Sequence, residues 1–393
     1  MVNRVQKFAV GALSLITVLG VTSIAQAPAS GAAQSAVSRL GAHEGAAFAM
    51  TNRSTGNEIV TYRRAANGAL TRVGSVSTRG RGIGTDLDTQ GPLRLSSDHR
   101  FLYAVNAGTD DVSVFSVTGT HLTFLQKVYA GDEPNSLTIH RNLLYVLDGS
   151  VAGNGIRGFR RAADGTLTPL PRSFRLLSSP IAVPGQVEFS PDGHLLLVTQ
   201  KTTNVLLSPK NAIDAFQVDA KGWASPLPKR DFSHGVRPFS LAFRNDNQLL
   251  VAESFDAEPG KAAVSSYRVF AHGGLGVISG SIPNRQTDSC WVVITQDGRY
   301  AYTANFGSGT ITSYRFTSTG AVRVINGKAA FLGLLSQPVD LAFSTGSRYL
   351  YLLLRGTGGV ASFKVQADGG LTPLGVVTGN LPVADGASGL AAY

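Results

Sequence analysis

The chain has 393 residues, 43% of them hydrophobic and only 15% charged, with 45 glycines and a single cysteine. That balance excludes a disordered chain and a disulfide-stapled one, and it favours many short strands joined by tight turns. The formal charge of +10 favours anionic ligands or surfaces, but no basic run is interleaved with aromatics, so nucleic acid is not expected as a partner.

The first residues read as a secretory signal. Arg4 and Lys7 form a basic start, Phe8 to Ala25 an apolar stretch, and Ala27-Pro28-Ala29 a small-residue cleavage site. Residues 1–29 are expected to be removed, taking the formal charge from +10 to +8 with the loss of Arg4 and Lys7. The mature protein is then secreted or periplasmic, without a membrane attachment. An uncleaved anchor is the competing reading, because the apolar stretch approaches spanning length. Cys290 lies far from this segment, which excludes a lipid-modified cysteine at the cleavage site and any intramolecular disulfide.

Residues 30–45 read as a linker, and a repeat fills 46–393. Each copy has a short strand, a turn rich in Asp, Asn, Gly or Ser, and a more apolar strand with a polar end: PLRLSSDHRFLYAVN from Pro92, NSLTIHRNLLYVLD from Asn135, GQVEFSPDGHLLLVTQ from Gly185, PFSLAFRNDNQLLVAE from Pro238, SCWVVITQDGRYAYTAN from Ser289 and PVDLAFSTGSRYLYLLL from Pro338. Aligned on the last residue of the second strand, Asn106, Asp148, Gln200, Glu253, Asn305 and Leu354 fall in register, with gaps of 42, 52, 53, 52 and 49. A second hairpin follows each copy, as in DVSVFSVTGTHLTFLQKV from Asp111 and TITSYRFTSTGAVRVI from Thr310. Such a period predicts an all-β, seven-bladed propeller with four-stranded antiparallel blades. A paired sandwich of sheets is the structural rival.

The seventh blade is divided between the chain ends. AAFAMTN from Ala46 reads as a second strand ending at Asn52 and EIVTYRRAANGALTRVG from Glu58 as strands three and four, while the missing first strand is GASGLAAY from Gly386. Pairing Gly386–Tyr393 beside Ala46–Thr51 would close the ring and remove an exposed sheet edge.

Compact turns such as SPDG at Ser190–Gly193 and AADG at Ala162–Gly165 must share one face, so the long loops Arg79–Gly91, Gln200–Asp214 and Glu253–Val264 lie on the other. That face is the expected mouth of a central pocket for a small-molecule ligand. Asn52, Asn106, Asp148, Gln200, Glu253 and Asn305 all end second strands there and read as a polar collar, with Arg355 adding a charge after Leu354; Asn52, Asn106, Asp148 and Asn305 also read as turn formers, whereas Glu253 and Lys201 are poorer turn formers. Cys290 and Trp291 begin the first strand of the sixth blade near the axis, where Cys290 reads as a buried hydrophobe. The histidines are scattered, and only His234 lies on a connection to the mouth, which argues against a His-based zinc site.

LSSDHRFLYAVNAGTDDVSVFSV from Leu95, FSPDGHLLLV from Phe189 and TQDGRYAYTANFGSGTITSYRF from Thr295 resemble the seven-bladed propeller lactonase family, which includes propeller-type 6-phosphogluconolactonases and carboxymuconate-lactonizing enzymes. The resemblance covers the chain from about Ala46 to Tyr393 and implies a basic channel and a Pro-His pair just before one SPDG turn; the protein is expected to be a monomer. At that place stands Pro184-Gly185-Gln186. Gln186 can orient a carbonyl or a water but is no general base near neutral pH.

Two readings of function stay open. One is an exported hydrolase of a sugar lactone or muconolactone, with Glu253 as base and Lys201 or Arg355 stabilising the oxyanion. Gln186, Asn106, Asn305 and Trp291 would then bind substrate. In a variant of it, Asn106, Asp148, Glu253 and Asn305 hold a divalent metal such as Ca²⁺, a set comparable to that of the gluconolactonase propellers. The other is a non-catalytic extracellular propeller that binds a ligand or partner on its long-loop face.

Overall fold

The structure, a computed structural model, describes residues 41, 43–151, 153–179, 181–202, 211–244, 247–383 and 386–393. The expected signal peptide 1–29 and nearly all of the 30–45 linker lie outside the described residues. Among those described, no helix is long and apolar enough to cross a membrane.

The turn chemistry dictates the hairpins. In the SPDG turn the Ser190 hydroxyl donates to Asp192 at 2.6 Å, the His194 N–H donates to the same carboxylate at 3.0 Å, and Gly193 takes φ +78°, which costs a glycine little. Ser96 with Asp98 and Thr295 with Asp297 repeat the hydroxyl–carboxylate bond, each at 2.6 Å. Strands flanking these turns are apolar and buried, so each hairpin becomes the inner half of a sheet.

Seven antiparallel sheets result, each running from an inner strand outward. Counting the divided blade first, the inner strands are Leu390–Ala392, Leu93–Leu95, Pro134–His140, Val183–Phe189, Pro238–Phe243, Ser289–Ile294 and Pro338–Phe343. In blade 3 the outer strand is broken into Leu167–Pro169 and Arg175–Leu176, both paired with Gly155–Arg161. The chain is therefore the all-β seven-bladed propeller that its period predicts.

Closure is also as expected. Phe48 pairs with Ala391 and Ala49 with Leu390, and the ladder is extended by the Tyr393 N–H donating to the Ala46 carbonyl at 3.0 Å. The Arg64 guanidinium reaches the Tyr393 carbonyl at 2.9 Å. Blades are stitched at their rims by a buried tyrosine three residues before the end of a second strand. Tyr103, Tyr145, Tyr302 and Tyr351 donate to the carbonyls of Gly165, Gly222, Gly369 and Gly68 in the next blade at 2.8–2.9 Å. Burial raises the pKa of each phenol, so each stays a neutral donor.

Candidate functional site

Six of the seven register positions do the same structural work, in that the polar side chain ending a second strand turns back onto the connection entering its own blade. Asn52 donates to the carbonyls of Thr85 at 2.7 Å and Gly386 at 3.0 Å. Asn106 accepts from the Thr78 hydroxyl at 2.7 Å, Asp148 from the Asp132 N–H at 2.9 Å, and Gln200 donates to the Ser178 hydroxyl at 2.9 Å. Glu253 accepts from the Gly235 N–H at 2.9 Å, and from the hydroxyls of Ser265 at 2.5 Å and Ser281 at 2.8 Å. Asn305 accepts from the Ser289 hydroxyl at 2.5 Å and donates to Thr310 and Thr312, each at 2.9 Å. These residues latch the loops.

The collar expectation is thereby corrected. Asn106, Asp148, Glu253 and Asn305 sit in four blades, each with its own partners, and share no contact that would gather their oxygens around a calcium ion. Among the described residues no three His, Cys, Asp or Glu side chains cluster as a metal site. Glu253 is fully buried in blade 5, where burial raises its pKa, and it meets neither Lys201 nor Arg355. Asn106 and Asn305 are likewise fully buried, Asn106 accepting also from the Asn57 amide of blade 1 at 3.0 Å and Asn305 bonded within its own blade.

The mouth is lined one residue later, because side chains alternate along an extended backbone. Lys201, Ser254, Phe306 and Arg355 occupy such places, and the backbone N–H groups of the last three meet residues that stand just before inner strands. Arg237, Asp288 and Gln337 precede inner strands with φ of 56°, 59° and 46°, a left-handed conformation that is uncommon without glycine. This geometry aims their carbonyls at the N–H groups of Ser254, Phe306 and Arg355, at 3.1, 2.9 and 3.2 Å. The Lys201 ammonium lies 4.8 Å from the Phe239 ring centre, and the Arg355 guanidinium 4.6 Å from that of Phe306.

The centre of the mouth is filled by the chain itself. The connection entering blade 2 spans residues 78–92, whereas those entering blades 3 to 7 have four to six residues. Its extra length crosses the axis and touches every other blade. The Thr89 hydroxyl donates to the Gly185 carbonyl at 2.5 Å, and the Trp291 indole donates to the Thr89 carbonyl at 2.8 Å. The Gln90 amide pairs with both Val292 N–H and Val292 carbonyl at 2.9 and 3.0 Å, while the Ser136 hydroxyl donates to the Gln90 carbonyl at 2.6 Å. Asp88 accepts from Lys201 at 2.5 Å and from Arg237 at 3.1 Å, and Asp86 pairs with Arg355. Asn52 holds Thr85 from blade 1.

The departure from Pro-His has a local reason. A β-carbon on Gly185 would come within 2.1 Å of the Phe239 carbonyl oxygen, so no histidine fits there, and the Gly185 carbonyl accepts from the Thr89 hydroxyl and the Gln90 N–H. Gln186 lies next on the inner strand with its amide committed, accepting from the Leu241 N–H at 2.9 Å and donating to Glu188 at 2.9 Å. Glu188 in turn takes the Thr138 hydroxyl at 2.9 Å and the Arg94 guanidinium.

Of the expected site residues, Lys201, Arg355 and Trp291 meet at this axial segment, with Gln186 beside it. Arg237, Asp288, Asp86 and Asp88 were not singled out from sequence; the only local signal was that Arg237 and Asp288 stand immediately before a repeat begins. Burial lowers the Lys201 pKa and Asp88 opposes that shift. Burial raises the Asp288 pKa, while the Cys290 thiol and Arg237 pull it back down. Cys290 donates to Asp288 at 3.0 Å and its own pKa is pushed well up by burial, so it packs and supports rather than attacks. A groove of about 740 Å³ lined by Trp223, Phe270, His194 and Asp192 opens on the compact-turn face and receives none of these residues.

No curated protein sequence matches the chain. Among solved structures it resembles a Bacteroides fragilis protein assigned as a 6-phosphogluconolactonase, at 19% identity and a TM-score of 0.69, covering 90% of this chain and 98% of that one. It also resembles the Pseudomonas aeruginosa periplasmic gluconolactonase, at 17% identity and a TM-score of 0.68, covering 89% and 99%. Likenesses this remote establish the fold alone. The family model for the seven-bladed β-propeller lactonases matches residues 42–184 and 210–326, and the gap between the two stretches holds Gly185, Gln186 and Lys201. With well over half of the chain matched, the protein belongs to the seven-bladed β-propeller lactonase family.

Proposed function

We propose that the protein is an exported hydrolase of an anionic sugar lactone or muconolactone, acting as a monomer at the axial mouth. The observation that carries this reading is that Lys201 and Arg237 share Asp88 and Arg355 holds Asp86 on the same crossing segment, with the half-buried carboxylate of Asp288 in the field of Arg237 and of both aspartates. The basic stretch at Arg4 and Lys7, the apolar run after it and the small residues at 27–29 support export, as does the likeness to a periplasmic gluconolactonase.

In this reading Asp288 takes a proton from water as the water oxygen bonds to the ring carbonyl carbon. Lys201 and Arg355 stabilise the oxyanion that forms. Collapse breaks the bond from the carbonyl carbon to the ring oxygen, which leaves as a hydroxyl with the proton returned by Asp288, and the product is a hydroxy acid. Glu253 takes no part in this reading. The test is initial-rate hydrolysis of 6-phosphogluconolactone and gluconolactone. The wild type should turn over the phosphorylated lactone, with Asp288→Asn slower by about a hundredfold or more. Absence of turnover above buffer for both lactones and for a muconolactone would instead make the protein a binding propeller.

A further inference from the structure

We infer that the axial mouth is a dianion site which the chain occupies itself, with Asp86 and Asp88 as internal ligands that an incoming phosphate monoester or dicarboxylate must displace. The inference rests on reading the mouth as the substrate site. It goes further by naming the charge recognised and the segment that competes for it.

The two sides of this contact are built differently. The cations belong to the scaffold. Lys201 lies on a second strand with its side chain 1% exposed, and Arg355 lies against Phe306 with its backbone N–H bonded to Gln337. The carboxylates belong to a crossing segment and reach solvent, with side-chain exposures of 38% for Asp88 and 33% for Asp86. Asp88 also holds φ at +50°, strained for a residue with a β-carbon.

Anchorage of the segment divides at Thr89. Thr89, Gln90 and Gly91 are buried and tied to blades 3, 4 and 6 by backbone carbonyls and amides, so they form a floor. Asp86 and Asp88 are held to other blades through their charges and the Asp88 carbonyl. A buried ammonium without a counter-ion is costly, so an anion that replaces Asp88 beside Lys201 keeps the lysine charged and makes the exchange favourable. Two carboxylates are replaced by one group of two charges. The third cation, Arg237, bridges Asp88 and Asp256, and Asp256 is exposed enough to remain in water when the exchange occurs.

The experiment is calorimetric titration of the mature protein at low ionic strength with inorganic phosphate, 6-phosphogluconate and muconate, and with gluconate as the singly charged control. Asp86→Asn/Asp88→Asn should bind the two-charge ligands at least tenfold more tightly than the wild type, while gluconate gains little. The same variant should unfold at lower temperature and be restored by millimolar phosphate more than the wild type is. Lys201→Met should abolish the gain. Phosphate and muconate arms separate phosphate recognition from dicarboxylate recognition. Equal or weaker binding by the double variant, or no rescue by any dianion, overturns the inference. If the double variant does not fold, Asp86→Asn alone, at the more superficial pair with Arg355, gives the same comparison. Dianion binding without lactone turnover leaves this inference standing and removes the hydrolase reading. Turnover with no gain in affinity does the reverse.

Discussion

The connections entering blades 5 and 6, residues 233–237 and 284–288, do what a propeller loop must and little more. Each is pinned by the polar residue that ends the second strand of the blade it enters, Glu253 or Asn305. The connection at 78–92 is pinned in the same way through Thr78 and Asn106, yet it continues across the axis to every other blade. A latch solves a local problem and repeats with the blade. A segment that reads six other blades at once has no counterpart in the repeat, and that is where the cations and the half-buried Asp288 gather.

The largest expected effect breaks the ring through the other long connection, 379–389. Gly386 takes φ +75° and a β-carbon there would lie 2.0 Å from the Thr85 carbonyl oxygen, so the two long connections touch. Deleting Gly386–Tyr393 removes that contact and exposes the edge of Gly45–Met50, so the truncated chain should aggregate or lose its cooperative transition. A soluble truncated protein with unchanged unfolding temperature would contradict ring closure.

The crossing segment can be loosened without cutting the ring. Gln90→Ala strands the buried N–H and carbonyl of Val292, which should cost about 2–4 kcal/mol in denaturant unfolding. A cost under about 0.5 kcal/mol, the size usual for surface substitutions, would mean that water replaces Gln90 and that the segment is not a floor.

A smaller, pH-dependent effect concerns Asp340, which accepts from the Gly389 N–H at 2.6 Å and whose pKa burial raises to about 6. A raised folded pKa means that the protonated form is favoured by folding. This group's contribution is therefore full below about pH 4 and is lost as pH rises towards about 6, by up to about 3 kcal/mol. Asp340→Asn titrates nowhere, so its stability relative to the wild type should rise between pH 4 and pH 7. A difference that does not change with pH would place the folded pKa near its ordinary value.

The fold was legible because its causes are local and repeated. The turn residues at Ser96, Ser190 and Thr295, and the period of the second strands, recur at every copy. The register by itself points away from the axial segment. It marked Asn106, Glu253 and Asn305, whose side chains serve the blade, while alternation hands the mouth to Lys201, Phe306 and Arg355. What could not be read at all is long-range. Asp88 meets Lys201 across 113 positions and Gln90 meets Val292 across 202, and neither pairing leaves a pattern in composition or spacing.

In the proposed reading chemistry belongs to the axial mouth, and the register residues only hold loops. Lactone hydrolysis by Asp288→Asn and Glu253→Gln, measured side by side, tests it most directly. Asp288→Asn should lose about a hundredfold or more in kcat/KM, with Glu253→Gln within a few-fold of the wild type despite a lower unfolding temperature. Full activity in Asp288→Asn together with loss in a folded Glu253→Gln would contradict it.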